Sequence, residues 1–405
     1  MMKRNVITKV METSGAKFYG LFVGVFSLSY SAHVLGVEGR GLFATVTTWI
    51  GMFAVLSSLS LGQSFFKALS LVQGKPKKEL VGSSFYLVIA LSSFASLSWF
   101  ASFLIGVLPE MSLSLLIVGG VLIPLFIWDQ ISPNIMSSLG LISSYNKSVI
   151  ISRTVTIGSL FILLAVEPRV EFALIATFLG YTIAFLFNYN AIYSVLGVVK
   201  LRVTYIKTLV IEGGKLHLNT ITAFVVSGTD IIMLSKLSTM ESVGHYQLSV
   251  QLLNLLYILP QSIALIVYGM VDKNGKINWF KHRNLLFWGI ASLVVLVPSI
   301  FLLSDFFIRL IAGEAFLESA HLLKMQSMIL LPAFLAIMLA PQWISQGYVW
   351  TMSIVGSVSA ILNLCLNYFL IPIYDTYGAI YSSAITYYLF FPINIWMIWK
   401  CQRLR

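Results

Sequence analysis

The sequence predicts an all-α polytopic membrane protein: about 12 transmembrane helices in two parallel six-helix bundles, with N- and C-termini cytoplasmic. Three observations predict it. Charged residues are 10% and hydrophobic residues 58% of the chain, against roughly 25% charged in an ordinary soluble domain. The apolar residues gather in stretches of about 20, the length that crosses a hydrocarbon core. The cations alternate between the two sides: of 26 Lys and Arg, only Arg40, Arg169, Lys236, Arg309 and Lys324 fall on the side opposite the rest. By the positive-inside rule the crowded side is cytoplasmic.

The spans follow in order. The first, 16–36, comes after a basic segment with Lys3, Arg4, Lys9 and Lys17; it is longer than a signal-peptide core and reads as a retained helix. The second, 42–64, ends at a cluster of Lys67, Lys75, Lys77 and Lys78. Spans at 82–107 and 112–138 are joined by a short connection; 148–167 and 172–196 follow, with Lys147 and Arg153 at the entry of the fifth. The amphipathic segment 199–213, with Lys200, Arg202 and Lys207 and then Lys215, reads as a cytoplasmic linker lying in the interface. It separates an N-terminal bundle, 1–198, from a C-terminal bundle, 214–405. The second half has spans at 214–236, 243–270, 285–304, 318–345, 349–372 and 376–399. Lys273, Lys276, Lys281, Arg283, Lys400, Arg403 and Arg405 lie on the crowded side of these.

A net charge of +11 carried by short loops points to anionic membrane lipids as partners, not to nucleic acid. Cys365 falls mid-span and Cys401 in the tail, so they do not pair, and the sequence has no metal-ligand cluster. It has no Gly-rich phosphate loop and no nucleophile with a nearby base. Neither an enzyme nor a cofactor or metal is expected.

The chain repeats itself. Pro124 and Pro133 match Pro332 and Pro341 at an offset of 208, as Phe126 matches Phe334. Glu38-x-x-Gly41-x-Phe43 matches Glu241-x-x-Gly244-x-Tyr246 at 203, and Pro168 and Pro372, each after a span, are offset by 204. Six spans per repeat give both halves the same orientation, as in transporters with a two-fold axis along the membrane normal and a cleft between the halves. The proline pairs predict kinks in spans four and ten.

Polar groups at membrane depth cost about 2.5–3.5 kcal/mol each on insertion scales and are candidates for function. Asp129 is either an ion-coupling or gating carboxylate or a partner for a neighbouring helix. Asp230 either lines the cleft or pairs with Lys236. Arg153, Lys215, His217, Lys67 and Arg40 either share a cationic cavity that binds phosphate or, all but Arg153, snorkel to an interface. Gln247, Gln251 and Asn254 share a helix face and either line a path for hydroxyl-rich cargo or join helices, as His33 does.

Four stretches carry a family resemblance. Leu35-Gly-Val-Glu38-Gly-Arg40-Gly41-Leu-Phe43-Ala44 resembles the first-loop motif of polysaccharide exporters in the multidrug/oligosaccharidyl-lipid/polysaccharide superfamily. Gly228-Thr-Asp230-Ile-Ile-Met-Leu with Glu241-Ser-Val-Gly244-His-Tyr246 resembles its seventh-span motif, and Ile311-Ala-Gly313-Glu314-Ala-Phe316-Leu-Glu-Ser-Ala320 its loop before span ten. Asn363-Leu-Cys-Leu-Asn367-Tyr368-Phe-Leu-Ile-Pro372 with Tyr377-Gly378-Ala379 is similar to its eleventh-to-twelfth-span motif. The resemblance implies an O-antigen-type flippase of the bacterial inner membrane, serving lipopolysaccharide or related polysaccharide biosynthesis. It would move a polyprenyl-pyrophosphate-linked oligosaccharide to the outer leaflet by alternating access. A proton or sodium ion as coupling ion, and a polymerase and chain-length regulator of the same pathway as partners, are implied with it. An ion-coupled multidrug or small-molecule antiporter of the same superfamily is the alternative. A membrane glycan polymerase would need a large outer loop, which is missing.

Overall fold

The computed structural model describes residues 2–71, 77–198, 200–272 and 276–403. Lys75, Val199, Lys273 and Arg405 lie outside the described residues, as do the side chains of Lys3, Arg4, Lys9 and Lys77. The chain order is α1 Met2–Ser57, α2 Leu61–Leu71, α3 Lys77–Leu104, α4 Leu113–Ser138, α5 Ile142–Val166, α6 Val170–Leu196, α7 Val203–Leu237, α8 Met240–Leu256, α9 Ile258–Tyr268, α10 Trp279–Ala291, α11 Leu293–Ala312, α12 Leu317–Ser327, α13 Leu330–Ser345, α14 Val349–Tyr374 and α15 Thr376–Arg403. Among the described residues the one β contact is a bridge between Val271 and Ile277.

Nine helical stretches among the described residues are long and apolar enough to cross a membrane, and ten if the bent pair α12–α13 is one span. The first covers two predicted spans: α1 is broken at Gly36 (φ 67°, ψ −173°), a conformation open essentially only to glycine. The last predicted span, α15, is absent from the ten because tyrosines and small polar residues dilute its apolar character. Most other boundaries agree with the predicted spans to within about six residues; the exceptions are α7, which begins at Val203 rather than 214, and α11, which runs to Ala312 rather than 304. The lipid-protein pattern is inverted relative to a soluble protein: Phe18, Leu97, Leu302 and Phe369 are well exposed, whereas Ser64, Ser132, Ser249 and Asn367 are fully buried. Small and polar side chains at helix contacts are what membrane bundles use.

The chain forms two compact units, Met1–Phe224 and Val225–Arg405. The division falls inside α7. Residues 203–213, read from sequence as part of a linker, are the opening turns of that helix.

The repeat is visible at the helix breaks. Thr239, which caps α8 by accepting from Ser242 N at 3.1 Å, stands 203 residues after Gly36, the same offset as the Glu38 and Glu241 motifs. The proline pairs behave differently. α4 runs unbroken through Pro124 and Pro133. In the second copy, α12 and α13 meet at a 59° bend. Pro332 then sits in the first turn of α13, where its missing N–H is not needed. Pro341 lies further into the same helix. Pro372 is not after its span but inside the last turns of α14, and the chain reverses at Asp375 (φ 55°).

Candidate functional site

In the N-terminal unit the polar node is built by α4, α5 and α6. Asp129, three residues after Phe126 on α4, is half-buried. The charge of Arg153 on α5 acts on it, and both act on Tyr145 of α5 and Tyr181 of α6. The Phe126 ring stacks on Tyr181 at 4.8 Å. Arg153 is exposed and, among the described residues, forms no ion pair with Asp129. One residue on, Thr154 Oγ1 shares a 2.6 Å hydrogen bond with Tyr19 Oη. The surroundings are thus a guanidinium with free reach, a carboxylate and several hydroxyls. That combination suits a phosphate and a sugar.

The structure does not gather the other four cations around Arg153. Arg40 is buried rather than snorkelling, 4% exposed. Its Nη1 donates to Ser31 Oγ at 3.1 Å across the Gly36 break, and its guanidinium lies 5.4 Å from the Phe43 ring centre. His217 Nε2 meets Leu56 O at 3.0 Å and its Nδ1 meets Ser60 Oγ at 3.4 Å, so it ties α7 to the turn between α1 and α2. Gly213 makes that approach possible, since a Cβ there would stand 2.3 Å from Leu59 O. Lys215 is exposed and ion-paired to Glu212 at 2.5 Å, and Lys67 is exposed on α2. His33 Nδ1 turns back to Ser29 O at 2.9 Å within its own helix.

In the C-terminal unit the node is more closed. Asp230 of α7 is 8% exposed. Its carboxylate accepts from Tyr246 Oη at 2.7 Å, Asn367 Nδ2 at 2.6 Å and Ser383 Oγ at 3.4 Å. These partners replace Lys236, the pairing the sequence left open. Asn363 and Asn367 stand one turn apart on α14, and Asn367 Nδ2 also reaches Asn363 Oδ1 at 3.2 Å. Asn367 Oδ1 is buried with no hydrogen-bond partner. Hydrogen bonds to a charged group contribute about 1.5–3 kcal/mol each, so three donors offset the roughly 2.5–3.5 kcal/mol cost of placing the carboxylate there. A cavity of about 230 Å³ opens on the node, lined by Asp230, Tyr246, Asn254, Gln326, Ser383 and Tyr387 among others.

The structure splits the amide stripe of α8. Asn254 is exposed and lines the cavity, on the face of Tyr246, Val250 and Tyr257. Gln247 is buried and Gln251 half-buried on the adjoining face. Sequence reading singled out Asp230 but not Asn363, Asn367, Tyr246 or Ser383 as its companions. The available signal was the i, i+4 spacing of the two asparagines. Cys365 and Cys401 are both free, and no group of metal-ligating side chains forms among the described residues.

No protein-family model matches the sequence, and no curated protein matches it. Solved structures do. A multidrug resistance transporter of the MATE family in the MOP superfamily, in an inward-facing conformation, superposes with a TM-score of 0.73 at 12% identity, over 94% of this chain and 96% of that one. The lipid II flippase MurJ in its inward closed conformation gives 0.71 at 20% identity, over 96% and 89%. A MOP superfamily transporter from Pyrococcus furiosus gives 0.67 at 12% identity, over 97% and 96%. At these identities the likeness shows the fold alone, an all-helical one shared with those transporters.

Proposed function

We propose that this chain is a multi-pass transporter of the bacterial inner membrane that moves a polyprenyl-pyrophosphate-linked oligosaccharide from the cytoplasmic to the outer leaflet by alternating access. The observation that carries the reading is Arg153: an exposed guanidinium whose charge acts on Asp129, Tyr145 and Tyr181 and which, among the described residues, closes no ion pair with Asp129. A diphosphate crossing a low-dielectric region needs such a partner. The sequence motifs and the shared fold with a lipid II flippase support it.

Asp230 is proposed as the coupling group. Its carboxylate and the unpartnered Asn367 Oδ1 are oxygen donors of the kind a hard cation takes, and the same carboxylate is a proton acceptor. This node equally favours a second reading, an ion-coupled small-molecule antiporter, as does the fold shared with multidrug transporters.

The two readings separate in proteoliposomes. The purified chain is reconstituted with a fluorescent polyprenyl-pyrophosphate glycan, and the fraction reaching the far leaflet is read by quenching. Flipping that Arg153→Ala removes and Arg153→Lys partly keeps supports the first reading. Export of an organic cation that depends on Asp230, with no glycan movement, replaces it with the second.

A further inference from the structure

A second polar cavity, of about 530 Å³, lies in the C-terminal unit at the end of α13 and α15, away from Asp230. Lys276, Trp279, Phe280, Gln342, Tyr348 and Lys400 carry its chemistry. No carboxylate lines it among the described residues; the nearby Asp272 accepts from the Lys276 backbone N–H at 2.7 Å. Gln342 is 1% exposed and its Nε2 has no hydrogen-bond partner; Nε1 of the half-buried Trp279 and Oε1 of Gln346 are likewise buried atoms without one. Unpaired buried N–H donors are costly, at about 1–3 kcal/mol each, and here α10 and α13 each bring one to the lining residues. They are the donors an anion would use. Lys400 is oriented rather than neutralised: its Nζ bonds Tyr348 Oη and sits over the Tyr348 and Trp396 rings at 4.2 and 5.0 Å.

Phe280 of the lining and Trp399, the neighbour of Lys400 in sequence, carry the marks of headgroup depth. Phe280 and Trp399 are 50% and 46% exposed, and each carries an arginine on its face: Arg283 at 4.8 Å and Arg403 at 3.5 Å. Exposed aromatic rings with cations beside them mark the membrane–water interface.

We propose that this cavity binds the phosphate of an anionic lipid headgroup, with Lys276 and Lys400 supplying charge and Trp279 and Gln342 supplying N–H donors. The proposal does not depend on what the protein transports.

The full-length chain, delipidated in detergent, is titrated with dioctanoyl phosphatidylglycerol and adducts are counted by native mass spectrometry. Lys276→Glu tests the site directly, because that side chain is exposed and its reversal leaves the packing alone. Lys400→Gln is the second variant, and Lys207→Glu on α7 makes the same charge change elsewhere on an exposed residue. The expected result is affinity at least about tenfold weaker in the first two variants and unchanged in the third. Equal binding by wild type and Lys276→Glu overturns the site. Protection of wild type but not Lys276→Glu by inorganic phosphate, with no lipid adduct, makes the ligand a soluble anion and overturns the lipid assignment.

Discussion

A carboxylate or guanidinium at membrane depth is costly wherever it sits, which is why Asp129, Arg153 and Asp230 could be named from sequence. What each one touches could not. Amides and hydroxyls are cheap in helices and point to nothing alone, so Asn363, Asn367, Tyr246 and Ser383 became a set only when α7, α8, α14 and α15 converged on Asp230. Arg40 went the other way. Its place near a span end suggested snorkelling, yet the Gly36 break turns it inward onto Ser31. Two predictions belong to this scale. Tyr246→Phe removes the 2.7 Å donor to Asp230 and should lower stability by about 1–3 kcal/mol, seen as a lower midpoint in thermal unfolding in detergent. Asp230→Asn keeps the shape but sets an amide N–H against donors. If the carboxylate couples transport, this variant fractionates as folded protein yet loses ion-dependent flux; unchanged ion dependence would remove Asp230 from that role.

Helices themselves were legible, because apolar length is a property of composition and survives any packing. Their breaks were only partly so. Gly36, at the break after the first span, belongs to a motif visible in the sequence, whereas Thr239, at the same place after the seventh, stands two residues before one. The consequence of a proline depends on how far it stands from a helix start, which packing decides. Hence Pro124 and Pro133 lie inside an unbroken α4, while Pro332 follows a 59° bend. Close helix contacts were also hidden. At Gly378 of α15 a Cβ would stand 2.3 Å from Leu370 O and 2.7 Å from Ile371 N of α14, both backbone atoms that cannot swing aside. Gly378→Ala should therefore destabilise by roughly 1–3 kcal/mol. Gly158 of α5 faces open space, and Gly158→Ala should stabilise by about 0.5–1 kcal/mol. Melting midpoints of the two variants in one detergent check the contrast; equal shifts would mean the α14–α15 contact relaxes freely.

At the scale of the whole molecule the question is how many times the chain crosses. Hydropathy among the described residues supports nine or ten crossings, whereas two equal halves need twelve. Counting α1 as two crossings rests on the Gly36 break. Counting α15 rests on where its polar residues go. Ser382 is fully buried and Thr376 and Thr386 nearly so, against the unit's interior. Ile385 and Leu389 are exposed, as a lipid-facing side requires. The helix has 28 residues, about 42 Å at 1.5 Å per residue, and ends in Trp396, Trp399, Lys400 and Arg403, the aromatic and basic signature of an interface. A window average cannot separate polar residues that face protein from polar residues that face lipid. α15 is therefore predicted to cross, which puts both termini on the cytoplasmic side. Alkaline phosphatase, active only outside the cytoplasm, is fused after Tyr374 in one strain and after Arg405 in another. The first fusion should be active and the second silent. If both are active, α15 does not cross, the repeat is eleven spans and a surface helix, and the parallel orientation of the halves still stands on the first eleven.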